Sequence, residues 1–476
     1  MSTRDYFKSF LSFSLGTWLR AVIAALTTPI ITYLIDPEEF GKSAMYMTAF
    51  GVVSVVSHFG TDQAFVRFFY DYEEGKKNIL LWSCLLPSLI VSGLISLVLF
   101  VLSDKISFVL YGQTYPYINL LFVLNMYISL LQRYNHLIIR MQKKGLLYSL
   151  VDIVAAVSTT GSTIIFALIS RTFYSIVLGG LVGTAFALLV GFSQGNEYLK
   201  PTVPMGDEIK KVIRYGLPFV PTMLILWLFT SIDRISLRQY STFVQIGIYS
   251  AAFKVAQVLS LVQSGFTTFW VPTAYERYSK DNQDTSFFVR ANEMVSFVMF
   301  SVGFLLLGFK DILFLLLAKS YRESSMVFPF LAFLPIMYSV SETTVVWINF
   351  KKKSYWHMVI TTVSALANYI GNTLLVPIYG ARGAAISTGI SYIVFFWMRT
   401  LVAMKLHPKT GYNLKKITLV TILMTTVALV QTFQNNVVLN MVMGILGAIA
   451  TIIVYNGSFT LVKKEFLHVL KSRLSR

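Results

Sequence analysis

The sequence predicts an all-α integral membrane protein of about fourteen transmembrane helices, and three observations predict it. Of the 476 residues, 55% are hydrophobic and only 13% are charged, against about 25% charged in soluble domains. Apolar runs of about twenty residues, enough to cross a hydrocarbon core of about 30 Å as a helix, succeed one another along the chain. Short basic runs, such as Arg140 with Lys143 and Lys144, Lys351–Lys353, and Lys463 with Lys464, separate those runs.

The spans fall at 10–35, 43–66, 79–103, 117–138, 146–169, 173–194, 212–236, 246–271, 291–309, 324–349, 355–378, 381–404, 417–434 and 437–461. The first follows Arg4 and Lys8, runs too long for a signal-peptide core and meets no small-residue cleavage pattern, so it stays as a helix. With an even number of spans, both termini share a side. Placing them in the cytoplasm puts 29 Lys and Arg in or beside inner segments and 9 beside outer ones, counting Arg133, Arg214 and Arg399 with the adjoining loops. That bias sets both ends inside. A net charge of +18 would suggest nucleic acid in a soluble protein, but no basic domain exists to hold it. The single cysteine, Cys84, can form neither an internal disulfide nor a metal site, and no cofactor motif is present.

Residues 195–211 form the longest connection, carry Pro201 and Pro204, and divide the first twelve spans into two sets of six, 10–194 and 212–404. The sets share a faint pattern. Phe40-Gly41 opens the second span and Tyr70 follows 29 residues after Gly41; Ile246-Gly247 opens the eighth and Tyr275 follows 28 residues after Gly247. Units with an even number of helices repeat in parallel, about an axis along the membrane normal, with a site between them near the midplane. Residues 417–461 add two helices, and 462–476 form a basic tail with Phe466, Leu467, Leu470 and Leu474 on one face, as in an interfacial helix.

Four segments resemble a known family. They are Asp36-Pro37-Glu38-Glu39-Phe40-Gly41; Gly60 to Phe68; Gly216-Leu217-Pro218 with Asp233-Arg234 and Ile246 to Ser250; and Asn368 to Asn372 with Pro377 to Thr388. Together they are similar to the polysaccharide-transporter branch of the multidrug/oligosaccharidyl-lipid/polysaccharide flippase superfamily. The resemblance implies two six-helix lobes around a central cavity, plus two C-terminal helices that either form a groove for a polyprenyl tail or simply pack. It implies a bacterial cytoplasmic-membrane flippase that moves a polyprenyl-pyrophosphate-linked oligosaccharide to the outer leaflet for capsule, exopolysaccharide or O-antigen synthesis. Its implied partners are that lipid-linked sugar, membrane lipids, and a polysaccharide polymerase with other assembly proteins.

Such a carrier breaks no bond; it must solvate a pyrophosphate inside hydrocarbon, for which arginine forks and lysine point charges are suited. Arg20 lies about 15 Å into the first span and Lys254 lies within the eighth. A cation there costs at least about 2.5 kcal/mol, so each should face a wet cavity or a partner. In related lipid II flippases, cations on helices 1, 2 and 8 line the cavity, which adds Arg67 at the end of helix 2. The competing reading lets Lys254 snorkel outward and leaves Arg67 as an ordinary inner-loop charge.

Five acids lie within or at the ends of spans. Asp62 is expected to pair with Arg67 and Asp233 with Arg234; Asp152 and Glu293 lie near inner ends; Glu342 is deepest and best placed for ion coupling or gating. His58 is expected to be a hydrogen-bonded structural histidine. Pro218 and Pro221 bend helix 7, as a hinge or a fixed kink. Gly179 and Gly183 read as a close-packing pair.

A phosphate-binding loop is missing: the position for its first glycine before Gly41-Lys42-Ser43 holds Asp36, so this chain alone drives nothing with ATP. Three alternatives remain: a multidrug exporter, a lipid II exporter, and a membrane polymerase or glycosyltransferase. The enzyme would need a large outer loop around Asp36, Glu38 and Glu39, and every outer loop is short.

Overall fold

The computed structural model describes residues 3–192, 198–204, 206–281 and 285–460. The tail 462–476, and residues 195–197 and 205 of the predicted linker, lie outside the described residues. Everything described is helix or connection, in two compact units. One runs to Arg238 and includes Thr242–Gly247; the other comprises Gln239–Ser241 and the chain from Ile248 onward.

The first unit contains α1 (Thr3–Leu34), α2 (Pro37–His58), α3 (Thr61–Phe68), α4 (Lys77–Val101), α5 (Ser103–Tyr111), α6 (Ile118–Met141), α7 (Gly145–Ile169), α8 (Phe173–Phe192), α9 (Gly206–Gly216) and α10 (Phe219–Tyr240). Predicted spans and helices mostly agree to within a few residues. The second span is an exception, because Phe59 and Gly60 both take left-handed backbone, with φ of 54° and 70°. That stop splits it into α2 and the short α3. A Cβ at Gly60 would also lie 2.1 Å from the carbonyl of Gly216, so only glycine fits. The seventh span is likewise split, with Leu217 and Pro218 forming a two-residue turn between α9 and α10. The close packing expected of Gly179 and Gly183 is present: their added Cβ atoms would lie 2.0 and 1.9 Å from the hydroxyls of Thr163 and Thr159 on α7.

The linker is strapped down rather than loose. Tyr198 donates to Glu74 Oε2 (2.7 Å), Trp82 Nε1 to the Lys200 carbonyl (3.0 Å), and Asn78 to Thr202 Oγ1 (2.6 Å). Tyr72 bonds Glu208 on α9, and burial together with that carboxylate pushes the phenol pKa up. Val212 of α9 is buried in a core with Phe65, Phe69, Leu80, Leu81 and Tyr134.

The second unit contains α11 (Phe243–Lys280, whose first five residues belong to the first unit), α12 (Ser286–Gly308), α13 (Lys310–Phe314), α14 (Ser324–Leu331), α15 (Phe333–Phe350), α16 (Tyr355–Tyr379), α17 (Ala381–Leu406), α18 (Leu414–Phe433) and α19 (Val437–Val454). Because α11 continues to Lys280, Tyr275 lies inside a helix, whereas Tyr70 lies in a turn after α3. The two added helices are fixed to α12 at both ends: Lys416 bonds Glu293 (2.7 Å), and Asn440 bonds Asp311 (2.7 Å), just past α12.

Eleven helical segments are long and apolar enough to cross a membrane. In α1 the stretch Trp18–Leu34 is apolar but shorter, and α2 and α6 have the length but carry more polar residues. The protein is a multi-pass membrane protein.

One turn occurs in both units. Gln142, Lys143 and Lys144 donate backbone bonds to Ile138, Arg140 and Ile139; Lys351, Lys352 and Lys353 donate in the same pattern to Trp347, Asn349 and Ile348. Each turn places a lysine, Lys143 or Lys352, in left-handed backbone, at φ of 59° and 55°. This is a helix C-cap in which glycine is the usual residue.

Candidate functional site

In the first unit, two arginines with partly exposed side chains each lie beside a nearly buried aspartate. Arg20 stands about 21 Å from the Leu34 end of α1. Helix α1 runs along α7, and the Gly16 amide donates to Ser149 Oγ (2.9 Å), which sets the register opposing Arg20 to Asp152. Arg20 Nη1 lies 3.9 Å from Asp152 Oδ1; the arginine side chain is 64% exposed and the aspartate 11%. The same oxygen lies 3.5 Å from His136 Nε2, and the imidazole stacks on Tyr148 at 3.9 Å.

One turn before His136 on α6, Arg133 grips Asp62 Oδ2 through Nη2 (2.8 Å) and Nε (3.2 Å). The aspartate is 5% exposed and the arginine 42%. The left-handed stop before α3 turns Asp62 toward α6. The expected pairing of Asp62 with Arg67 does not form. Five residues rotate a side chain about 140° away around a helix, whereas four bring it back; Arg67 accordingly meets Asp71 at 3.3 Å, in the open. His58 has the hydrogen-bonded setting expected of it, against Ser54.

In the second unit, Glu342 is paired with an arginine. Its Oε1 lies 2.8 Å from Arg399 Nη1, which also donates to Ser341 Oγ (2.7 Å), and both side chains are under 10% exposed. The guanidinium lies over the rings of Tyr338 and Phe395, at 5.0 and 4.8 Å. Trp270 Nε1 donates to the Glu342 carbonyl (3.0 Å). Arg399 is therefore an interior charge rather than the loop charge its position near a span end suggested. Lys254 is exposed on α11, and Asp233 is buried in α10. Pro218 lies in the turn between α9 and α10, and Pro221 in the first turn of α10.

The model of the polysaccharide biosynthesis protein family matches residues 6–276. The chain belongs to that family. No curated protein sequence matches it. Among solved structures, the fold is that of "Lipid II flippase MurJ, inward closed conformation", with a TM-score of 0.70 at 17% identity, covering 96% of this chain and 99% of that one. It also matches a multidrug resistance MATE family transporter of the MOP superfamily in two conformations, both with a TM-score of 0.57. The inward-facing form is 13% identical over 84% of this chain and 96% of that one. The outward-facing form is 14% identical over 85% and 96%.

This polysaccharide biosynthesis protein also carries an apolar groove of about 270 Å³ between α17 and α18, lined by Trp397, Thr418, Thr421, Ile422, Thr425 and Leu429. Residues 417–462 contain no charged side chain, and none of the residues lining the groove is charged. Sequence reasoning missed Arg133, His136 and Arg399. For His136 the available signal was its spacing, three residues after Arg133 on an apolar helix, which puts both on one face.

Proposed function

We propose that the protein is a flippase that carries a polyprenyl-pyrophosphate-linked oligosaccharide from the inner to the outer leaflet by alternating access. In this reading it is not an enzyme and serves the assembly of capsule, exopolysaccharide or O-antigen beside a polymerase. It resides in a bacterial cytoplasmic membrane with both ends in the cytoplasm. The lobes are 10–194 and 212–404, joined by 195–211, with 417–461 and a basic interfacial tail at 462–476 appended.

The observation that carries the reading is Arg20, a cation in the middle of a long apolar helix with its head uncovered and its counter-ion set behind it. A guanidinium facing lipid at that depth would be too costly, so it faces water, and an arginine fork held in water within a membrane suits a phosphorylated headgroup. Membership of a polysaccharide biosynthesis family, and a fold shared with a lipid II flippase, point to a sugar-bearing lipid. Lys254 and Arg67 are further phosphate contacts in this scheme, and the apolar groove beside α18 takes the prenyl tail. The acids Asp62, Asp152 and Glu342 gate by holding or releasing an arginine, Asp233 takes part in ion coupling, and Pro218 with Pro221 forms the hinge.

Arg20→Ala should abolish polymer export while protein levels stay normal. Deleting the gene should leave lipid-linked repeat units on the cytoplasmic leaflet. Units that reach the outer leaflet but stay unpolymerised would instead identify an enzyme of polymer assembly, and normal polymer in Arg20→Ala would remove Arg20 from the site. A multidrug exporter would show drug efflux with polymer unaffected.

A further inference from the structure

We propose that Arg133 is a second phosphate-binding residue beside Arg20, so that two braced arginines on one unit hold the two phosphates of a diphosphate, with Asp62 positioning the Arg133 guanidinium. This rests on the flippase reading and specifies the headgroup it selects.

Three features lead there. The first is orientation. Asp62 takes Nε and Nη2 of Arg133 on a single oxygen, so two of the five N–H groups are used, and Nη1 makes no hydrogen bond to the described residues. The edge between Nη1 and Nη2 is thus turned away from the brace, on a side chain that is 42% exposed. Arg20 is equally available, since 3.9 Å from Asp152 is an ion pair but not a hydrogen bond.

The second is charge balance. Arg20, Arg133 and Arg140 all lie within electrostatic reach of His136, against the two carboxylates Asp62 and Asp152. Cations are in excess, and a neutral resting site would not need a third guanidinium.

The third is depth. Arg133 lies eight residues before the end of α6, and Asp152 seven after the start of α7, both about 10–12 Å inside the helix ends that the charge bias assigns to the cytoplasm. A headgroup entering from that side would meet both arginines before any deeper group. Arg20 and His136 both lie beside Asp152 Oδ1, and Arg133 stands one turn from His136 on α6, so a single phosphate satisfies one arginine and a diphosphate has an arginine for each phosphate.

The test measures binding of farnesyl diphosphate and farnesyl monophosphate to the purified full chain in lipid nanodiscs. The wild type should favour the diphosphate. Arg133→Gln paired with Asp62→Asn leaves no buried carboxylate without its cation. That variant should bind the diphosphate roughly 10- to 100-fold more weakly while changing monophosphate affinity only a few-fold. Arg133→Lys keeps the ion pair and loses the fork, so even if the double variant fails to fold it should lower the diphosphate preference about tenfold.

Unchanged diphosphate affinity in the double variant, or unchanged preference in Arg133→Lys, would overturn the assignment. Should Arg20→Gln weaken both ligands while the Arg133 variants do not, Arg133 alone is removed and the flippase reading stands. If the wild type binds neither ligand, the reading beneath the inference falls as well.

Discussion

The pair Glu342–Arg399 offers a direct test of whether the deepest acid is a fastening or an ion sensor. At 2.8 Å, an effective dielectric near 20 gives an attraction of about 6 kcal/mol before desolvation is subtracted. Removing one partner strands the other charge among Tyr338, Phe395 and Trp270, which typically costs about 3–5 kcal/mol. Arg399→Gln or Glu342→Gln alone should therefore lower the thermal unfolding midpoint in detergent, on the order of 10 °C. The double variant should recover most of the loss, because two amides of similar shape can bond each other and Ser341. Each variant would be followed by tryptophan fluorescence and completed as a double-mutant cycle, with polymer export scored in cells. Refutation would be Glu342→Gln with wild-type stability: the pair would then not hold α15 to α17, whatever the carboxylate does in the transport cycle.

Two further predictions concern packing and pH. Gly183→Ala should destabilise the first unit by about 1–3 kcal/mol, since the new methyl would lie 1.9 Å from Thr159 Oγ1. Adding Thr159→Ala should restore only part, because the backbone nitrogen remains at 2.8 Å; an unchanged midpoint in Gly183→Ala would refute the close approach. His407 stacks on Trp347 at 4.1 Å, and burial together with Lys351 and Lys409 lowers its pKa. A base whose folded pKa is depressed costs nothing while neutral in both states. As pH falls through its ordinary range, only the unfolded chain takes the proton, so stability drops. The midpoint should fall more between pH 7 and pH 5 in the wild type than in His407→Phe; parallel slopes would remove His407 as the cause.

The helices were legible because they are written locally. A run of twenty apolar residues has one solution in hydrocarbon, and the spacing of Gly179 and Gly183 already puts both on one face. Even the failure of Asp62 to meet Arg67 was contained in their separation of five. What the sequence could not convey was partnership across helices. Arg133 and Asp62 are 71 positions apart, and Arg399 and Glu342 are 57. A lone arginine eight residues from a helix end reads equally as an inner-leaflet charge or an interior one. Which reading holds depends on whether a neighbouring helix brings a carboxylate to its side, and that is decided by packing.

The shared turn at Lys143 and Lys352 ends two helices of different character. Left-handed backbone at lysine costs roughly 1–2 kcal/mol, which glycine would avoid, yet both turns keep the lysine and the same three hydrogen bonds. Ten residues before each lysine the two helices carry opposite charges: one has Arg133, the other Glu342. The same stop thus fixes a part-exposed cation in one unit and a buried acid in the other.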